Sequence, residues 1–242
     1  MDAELKQAFS EHIAELRKML ICCVVTLVIA FAVVFCCFSD ALMDILLKSL
    51  HDLELDVIYT MIGEVWATKM KVCFVAAFIV SFPLNAFFVW RFLAPALYPH
   101  EKKVFGLCFF VSLILFLLGA AFAYFVVLPL TIRFFIAFGE GTAEAMLTVS
   151  KYVSFLFSFV IPFGLIFLMP MAVYLLTKLG LLSAAVLVKT RKYILILLLV
   201  IAAVLTPPDI VSQLMLFVPM MVLWEIGIFV AKRTVPLREK ED

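Results

Sequence analysis

The sequence predicts an all-α, polytopic integral membrane protein. Of its 242 residues, 67% are hydrophobic and 15% are charged, and the mean hydropathy is +1.21. A soluble domain of this composition would expose large apolar patches to water. Six long apolar stretches run through the chain, and the charges collect between them. A hydrocarbon core of about 30 Å takes roughly 20 apolar helical residues, so the first four stretches are long enough to span it.

The Lys and Arg residues are distributed unevenly between the two sides that these stretches define. Fourteen of the 19 lie on the side of the N-terminus and five on the other, which predicts a cytoplasmic N-terminus and C-terminus. The net charge is only +1 and no segment forms a basic stripe, so no nucleic-acid partner is expected. We predict one domain, residues 1–242, with six spans: residues 19–38, 72–91, 104–130, 152–177, 193–207 and 210–231.

The segment before the first span does not resemble a cleaved signal. It carries Asp2, Glu4, Glu11 and Glu15 where a signal peptide has a basic region. Apolar residues recur at helical spacing over residues 5–20, which predicts an amphipathic helix lying along the cytoplasmic interface and leading into the first span.

The predicted connections differ in length and composition. The first external connection, residues 39–71, is long and acidic, and residues 40–50 have the spacing of a short helix lying on the outer surface. The first cytoplasmic loop is compact, and residues 133–151 are expected to form an external turn. Pro162 and Pro170 predict a bend in the fourth span. The fifth and sixth spans are short and meet at Asp209.

The sequence does not favour catalysis, a metal or a cofactor. The three histidines fall in loops, the six cysteines have no companion histidines, and no glycine-rich phosphate loop occurs. The first four spans also lack the ionisable residues that ion-coupled carriers place near the midplane. From the residues alone, an ion-coupled small-molecule transporter and the membrane anchor of a redox complex stay open as alternatives.

Specific strings then point to one family. Residues 12–20 (HIAELRKML), 90–103 (WRFLAPALYPHEKK) and 205–209 (LTPPD) resemble the twin-arginine translocase subunit TatC family, as do residues 121–127 and 217–227. The strings extend over most of the chain in the family's order. The resemblance implies six spans with both termini inside, in agreement with the charge distribution.

The resemblance also implies a function and partners. A family member is a signal-peptide receptor and core subunit of a translocase that exports folded proteins with two adjacent arginines in their signal peptides. The implied location is the cytoplasmic (inner) membrane, and the implied energy source is the proton motive force. TatA and TatB, which are single-span proteins, are the implied partners, within a complex of several copies in the lipid bilayer.

The family's signal-binding positions correspond to Glu15 and Glu101, with Phe92 beside them. Carboxylates suit an arginine pair because each guanidinium forms a planar, charge-assisted fork with an acidic side chain. Without the family context, Glu15 reads as a solvated charge and Glu101 as a favourable charge at a helix N-terminus. Arg17 and Pro95, in the same strings, are further candidates.

A second set of candidates lies in the last two spans. Thr206 and Gln213 match polar positions that the family uses to hold partner helices, although packing between the fifth and sixth spans is the alternative interpretation. Asp209 either takes part in a tight turn on the outer surface or has a functional role. Glu225, near the cytoplasmic interface, is either a functional carboxylate or a side chain that reaches toward the interface.

One position departs from the family pattern. The fourth span of the family commonly contains an acidic residue in the string Phe-x-x-x-Phe-Glu-x-Pro, whereas this chain has Leu168 there, between Phe167 and Pro170. We therefore expect that translocation by this chain does not depend on a carboxylate at that depth.

Overall fold

The structure is a computed structural model that describes the chain in six segments. Its elements are almost entirely helical, as the sequence predicts. The backbone is described for residues 2–51, 57–58, 61–93, 101–139, 147–205 and 210–234, and the side chains for residues 13–46, 58, 61–92, 105–137, 148–205 and 210–234.

Helix α1 runs without interruption from Asp2 to His51. Residues 5–20 and 40–50 are helical, as predicted, but neither forms a separate short helix. Both segments continue the first span, since neither a proline nor a glycine occurs in residues 2–51 to end the helix. A helix of 50 residues is about 75 Å long, so α1 extends well beyond a hydrocarbon core of about 30 Å.

The second and third spans are also longer than predicted. Helix α2 is Glu64–Leu93, and α3 is Glu101–Phe122. Helix α3 continues through a π-helical segment, Ala123–Val127, into α4, Leu128–Gly139, so the turn predicted for residues 133–151 begins too early. The Leu128 amide donates to the Ala123 carbonyl, and Pro129 follows it. Because Pro129 has no N–H, it cannot donate the α-helical hydrogen bond to the Phe125 carbonyl, and one bond of the regular pattern is missing here.

The fourth span is broken, and the predicted bend is confirmed. Helix α5, Val149–Ile166, ends two residues before α6, Met169–Lys178. The Leu168 amide donates to Leu165 rather than to Gly164, and Pro170 has no amide to offer Ile166. The break thus lies at the second proline, while Pro162 is accommodated inside α5. Gly180, with a φ of 72°, then ends α6 in a left-handed cap.

The last two helices are α7, Ala184–Leu205, and α8, Ile210–Arg233. Five helical stretches among the described residues are long and apolar enough to cross a membrane, α8 among them. Helix α7 has the length, but three cations lie in its first half, at Lys189, Arg191 and Lys192. Residues 193–205, its uncharged part, extend about 20 Å, which agrees with the short fifth span predicted.

The helices differ in how closely they pack. Helix α1 packs along α2, α5 contacts α2 and α3, and α8 contacts α6 and α7. Only 6% of the most apolar part of α1 is buried within the protein, compared with 39% for α8. Helix α1 is therefore peripheral, and its exposed apolar side chains suit a lipid environment.

Two glycines allow α3 and α5 to cross in contact. A Cβ on Gly119 would lie 2.5 Å from the Phe163 carbonyl oxygen, and one on Gly164 would lie 2.7 Å from the Phe116 ring. The Phe116 ring in turn stacks on Phe82 of α2, with centroids 3.6 Å apart. Small residues that permit close backbone approach are typical of helix contacts in membranes.

The two ends of the bundle differ. At the end that holds Glu64 and Val149, strand β1, Val57–Ile58, pairs in parallel with β2, Leu147–Thr148. Asp40 of α1 forms an ion pair with Lys69 of α2 there. The Glu64 carboxylate accepts a hydrogen bond from the Ser150 amide at 3.3 Å, which links α2 to the start of α5. The other end holds Leu93 and Arg233 and is called the terminal face below.

Candidate functional site

Two of the predicted signal-binding residues line one cavity between α1 and α2, at the terminal face. Helix α1 contributes Glu15 and the side chains three, four and seven positions after it, and α2 contributes Phe92 and its neighbours at the same kind of spacing. Residues so spaced share one face of a helix. We call this the Glu15 cavity; its volume is about 270 Å³, and it is lined by Glu15, Lys18, Met19, Cys22, Phe88, Arg91 and Phe92.

The Glu15 cavity combines charge with aromatic surface. Its lining contains one carboxylate and two cations, Lys18 and Arg91. The rings of Phe88 and Phe92 are also part of the lining. A carboxylate beside aromatic rings can hold a guanidinium through hydrogen bonds and through stacking on a ring. Because the two cations oppose a doubly positive ligand, Glu15 alone is a weak receptor for an arginine pair and a second carboxylate is needed.

Helix α3 begins beside the end of α2. Trp90 of α2 and Phe105 of α3 have ring centroids 6.4 Å apart, and Glu101, the first residue of α3, precedes Phe105 by about one helical turn. The side chain of Glu101 lies outside the described side chains, and Pro95 lies outside the described residues. Arg17 is exposed on α1 and is not among the residues that line the cavity.

The structure describes only some of the residues in the last two spans that were predicted to be functional. Thr206 and Asp209 lie outside the described residues. The side-chain amide of Gln213 on α8 donates to the Leu199 carbonyl of α7 at 3.2 Å, which favours the interpretation that this residue joins the last two helices.

Glu225 has a partner inside the protein. Its Oε1 lies 2.6 Å from Nε of Arg191, so the pair connects α8 to the first half of α7, near the terminal face. Both side chains are partly exposed, 34% for Glu225 and 49% for Arg191. The carboxylate is therefore paired with a cation of its own chain.

Sequence reasoning did not find a second cavity, which lies on another face of α2. It has a volume of about 430 Å³ and an apolar lining from α2, α3 and α6. We call it the Asn85 cavity; among the residues that line it are Asn85, Trp90, Cys108, Ser112, Leu168 and Ala172. The one signal in the sequence was an amide side chain within an otherwise apolar stretch.

Leu168, the residue that departs from the family pattern, lies on the wall of the Asn85 cavity. Among the described residues, no group of three or more His, Cys, Asp or Glu side chains is arranged to hold a metal ion. The Glu15 cavity presents charged and aromatic side chains, and the Asn85 cavity presents aromatic, aliphatic and uncharged polar side chains.

Five helical stretches long and apolar enough to cross a membrane, among the described residues, define the class of multi-pass membrane proteins. Residues 11–219 match the model of the TatC family, "Sec-independent protein translocase protein (TatC)". The chain belongs to this family. The family is a component of a protein translocase, which makes it a transporter rather than an enzyme and favours protein over small-solute transport.

Relatives and a solved structure support the assignment. The TatC protein of Carboxydothermus hydrogenoformans is 38% identical over 223 residues, which cover 92% of this chain and 91% of that protein. The TatC protein of Escherichia coli K12 is 36% identical over 239 residues, or 96% and 91% of the two chains. A crystal structure described as the twin arginine translocase receptor TatC matches with a TM-score of 0.84 at 35% identity, covering 91% of this chain and 98% of the other.

Proposed function

We propose that this chain is the signal-peptide receptor and core subunit of a twin-arginine translocase in the cytoplasmic membrane. The observation that carries the proposal is the Glu15 cavity, where α1 and α2 bring a carboxylate beside Phe92. The arginine pair of a signal peptide binds to Glu15 and Glu101, and Phe92 contacts an arginine face or the apolar part of the peptide. The matching crystal structure, described as the twin arginine translocase receptor TatC, supports the same function.

Charge balance in the Glu15 cavity favours arginine over lysine in the ligand. Lys18 and Arg91 already place two positive charges on the lining of the cavity. A ligand is retained there only if its cations make directional hydrogen bonds with the carboxylates, which the planar guanidinium does better than an ammonium group. A twin-lysine peptide has the same charge but lacks this geometry, so it should bind more weakly.

A peptide-binding measurement tests the receptor function. The full chain in lipid nanodiscs is titrated with a fluorescent signal peptide containing Arg-Arg, and with the same peptide containing Lys-Lys. We expect Glu15→Gln to weaken binding of the Arg-Arg peptide roughly tenfold, and Glu15→Lys to weaken it further because repulsion replaces attraction. The effect should shrink at high salt, since the cavity is exposed to solvent.

The matched control is Asp44→Asn, which removes an exposed carboxylate from the other end of the same helix. Its affinity for the Arg-Arg peptide should equal that of the unaltered chain. Equal binding of the Arg-Arg peptide by the double variant Glu15→Gln, Glu101→Gln would overturn the proposed site. Equal binding of the two peptides by the unaltered chain would overturn the proposed specificity.

We further propose that single-span proteins of the TatA and TatB type dock at the edge formed by α7 and α8, and that the proton motive force drives transport. The uncharged part of α7 falls roughly 10 Å short of a hydrocarbon core of about 30 Å, so the bilayer thins there or partner helices cover the gap. Cysteine crosslinks from partner helices should then include α7 and α8. Absence of crosslinks from both helices in an assembled complex would contradict this docking edge.

A further inference from the structure

Lys71 of α2 is an exposed cation whose ammonium group faces hydroxyl groups of α5. Its Nζ donates to Ser154 Oγ at 3.1 Å and to Ser150 Oγ at 3.5 Å. Lys69, two residues earlier on the same helix, is instead paired with Asp40 of α1. Among the side chains that the structure describes, no carboxylate forms an ion pair with Lys71. Its positive charge therefore lies between α2 and α5 without a counter-charge of that kind.

The groups around Lys71 Nζ still have protons to donate. An ammonium group has three protons, and a serine hydroxyl that accepts a hydrogen bond keeps its own proton. Helix α5 adds Lys151, an exposed cation three positions before Ser154, so the two share one face of the helix. We call Lys71, Ser150, Lys151 and Ser154 the Lys71 cluster. It combines two positive charges with hydroxyl donors, which suits an anion rich in acceptor oxygens.

The depth of the Lys71 cluster matches the phosphate layer of a bilayer. Residues 72–90 of α2 contain no charged residue and extend about 28 Å, close to a hydrocarbon thickness of about 30 Å. Lys71 directly precedes this stretch, at the end of the bundle opposite the terminal face. Its ammonium group therefore lies at the boundary between hydrocarbon and headgroups, where a phospholipid of that leaflet has its phosphate.

The surface of α5 next to the Lys71 cluster changes from polar to apolar toward the middle of the membrane. Going inward from Ser154, the same face of the helix holds Ser158, Ile161 and Leu165. The Ser158 hydroxyl donates to the Ser154 carbonyl at 3.0 Å and is satisfied within the helix. Ile161 is partly exposed and Leu165 is exposed. An acyl chain can lie along these two side chains while the phosphate of the same lipid reaches Lys71.

We propose that the Lys71 cluster binds the phosphate group of a phospholipid in the leaflet opposite the terminal face. Basic pockets between membrane-spanning helices bind lipid headgroups, and phosphate oxygens accept the hydrogen bonds that these side chains donate. Glu64, at the same end, accepts hydrogen bonds from the amides of Met61 and Ser150 at 3.3 Å each. Its carboxylate disfavours further negative charge, so a phosphodiester with a single charge fits better than a phosphomonoester.

Native mass spectrometry of the full chain in detergent micelles tests this site. Three probes are titrated: dioleoyl phosphatidylglycerol, a galactosyl dioleoylglycerol without phosphate, and inorganic phosphate. We expect the first phospholipid to bind roughly threefold or more tightly than the glycolipid, since only the phospholipid carries a charge-assisted acceptor. Lys71→Met should weaken phospholipid binding roughly three- to tenfold, and Ser154→Ala should weaken it less, because it removes one neutral donor.

Two further variants of α2 separate the phosphate contact from an effect on stability. Lys69→Met is the matched control, because it removes a cation that Asp40 already neutralises, and phospholipid binding should not change. Lys71→Arg keeps a charge and several donors at the same place and should retain binding. The thermal unfolding midpoint of Lys71→Met without added lipid should equal that of the unaltered chain, because the side chain is exposed.

Three outcomes would contradict the proposal. The first is equal binding of the phospholipid and the glycolipid by the unaltered chain, and the second is equal loss of phospholipid binding in Lys69→Met and Lys71→Met. The third is displacement of the phospholipid by millimolar inorganic phosphate, which would identify the ligand as a free anion. Arg-Arg peptide binding at the Glu15 cavity is measured with the same variants and should be unchanged in Lys71→Met, so this site and the receptor function are tested independently.

Discussion

The two cavities beside α2 share a helix but present different chemistry. The Glu15 cavity has charged residues from α1 and α2 in its lining, whereas the Asn85 cavity is apolar and its polar groups carry no charge. Phe88 and Phe92 face the first, and Asn85 and Val89 face the second. A charged lining suits ligands that arrive from water, and an apolar one suits ligands already in the bilayer. One helix can therefore separate two kinds of binding partner.

The largest expected effect comes from displacing one wall of the Asn85 cavity. Gly119→Val places side-chain atoms against the Phe163 carbonyl, where even a Cβ would lie at 2.5 Å. Helix α3 must then move away from α5, at a cost of roughly 1–3 kcal/mol or more. We expect a lower thermal unfolding midpoint, while the Arg-Arg peptide still binds to folded protein.

Gly106→Ala is the control for this change, since a Cβ there meets nothing within 4 Å on the same helix. It should unfold at the temperature of the unaltered chain. A tenfold loss of Arg-Arg peptide affinity in folded Gly119→Val protein would show that the two cavities are not independent.

A smaller effect is expected where a carboxylate is already paired. Glu225→Gln removes the ion pair with Arg191 but touches neither cavity, so Arg-Arg peptide affinity should change less than twofold. Stability should fall by at most about 1 kcal/mol, because both side chains are partly exposed. The double variant Arg191→Glu, Glu225→Arg should recover part of this loss in thermal unfolding. A tenfold loss of peptide affinity in Glu225→Gln would extend the charged site to α8.

The smallest effect is expected at Leu168. Leu168→Ala enlarges a cavity that is already open, so protein levels should stay normal and export of a folded twin-arginine passenger should stay within about twofold of the unaltered chain. We also expect Leu168→Glu to insert, because a broken helix beside a cavity can turn one polar group inward. Abolished export by Leu168→Ala at normal protein levels would give this leucine a role that the cavity does not explain.

The sequence predicted the helical spans better than their ends. Uncharged stretches indicate which residues contact hydrocarbon. A helix can continue beyond the bilayer until a proline, a glycine or a cap ends it, as α1 does. The bend of the fourth span was predicted because Pro170 removes a donor at a known place. The pairing of β1 with β2 joins residues 90 positions apart in the chain, and no local pattern reports such a contact.

For the functional sites, too, local sequence strings were informative, whereas contacts between distant parts of the chain could not be predicted. The strings around Glu15 and Phe92 indicated that these residues act together, and the structure places both on one cavity. Asn85 was missed because an uncharged amide in an apolar stretch gives no signal until its neighbours from α3 and α6 are known. The partner of Glu225 was not predicted, because Arg191 lies 34 residues earlier on another helix.

The π-helical segment has a consequence for how this chain tolerates insertions and deletions. A π turn holds one residue more than an α turn, and each residue of an α-helix rotates the following ones by about 100°. The extra residue in Ala123–Val127 thus sets which side of α4 meets α8, where Thr131 lies 3.2 Å from the Met215 sulfur. Deleting a single residue from this segment would leave a continuous helix and every downstream side chain intact. It would nevertheless turn Thr131 away from α8, so the length of this segment is constrained more strictly than its composition.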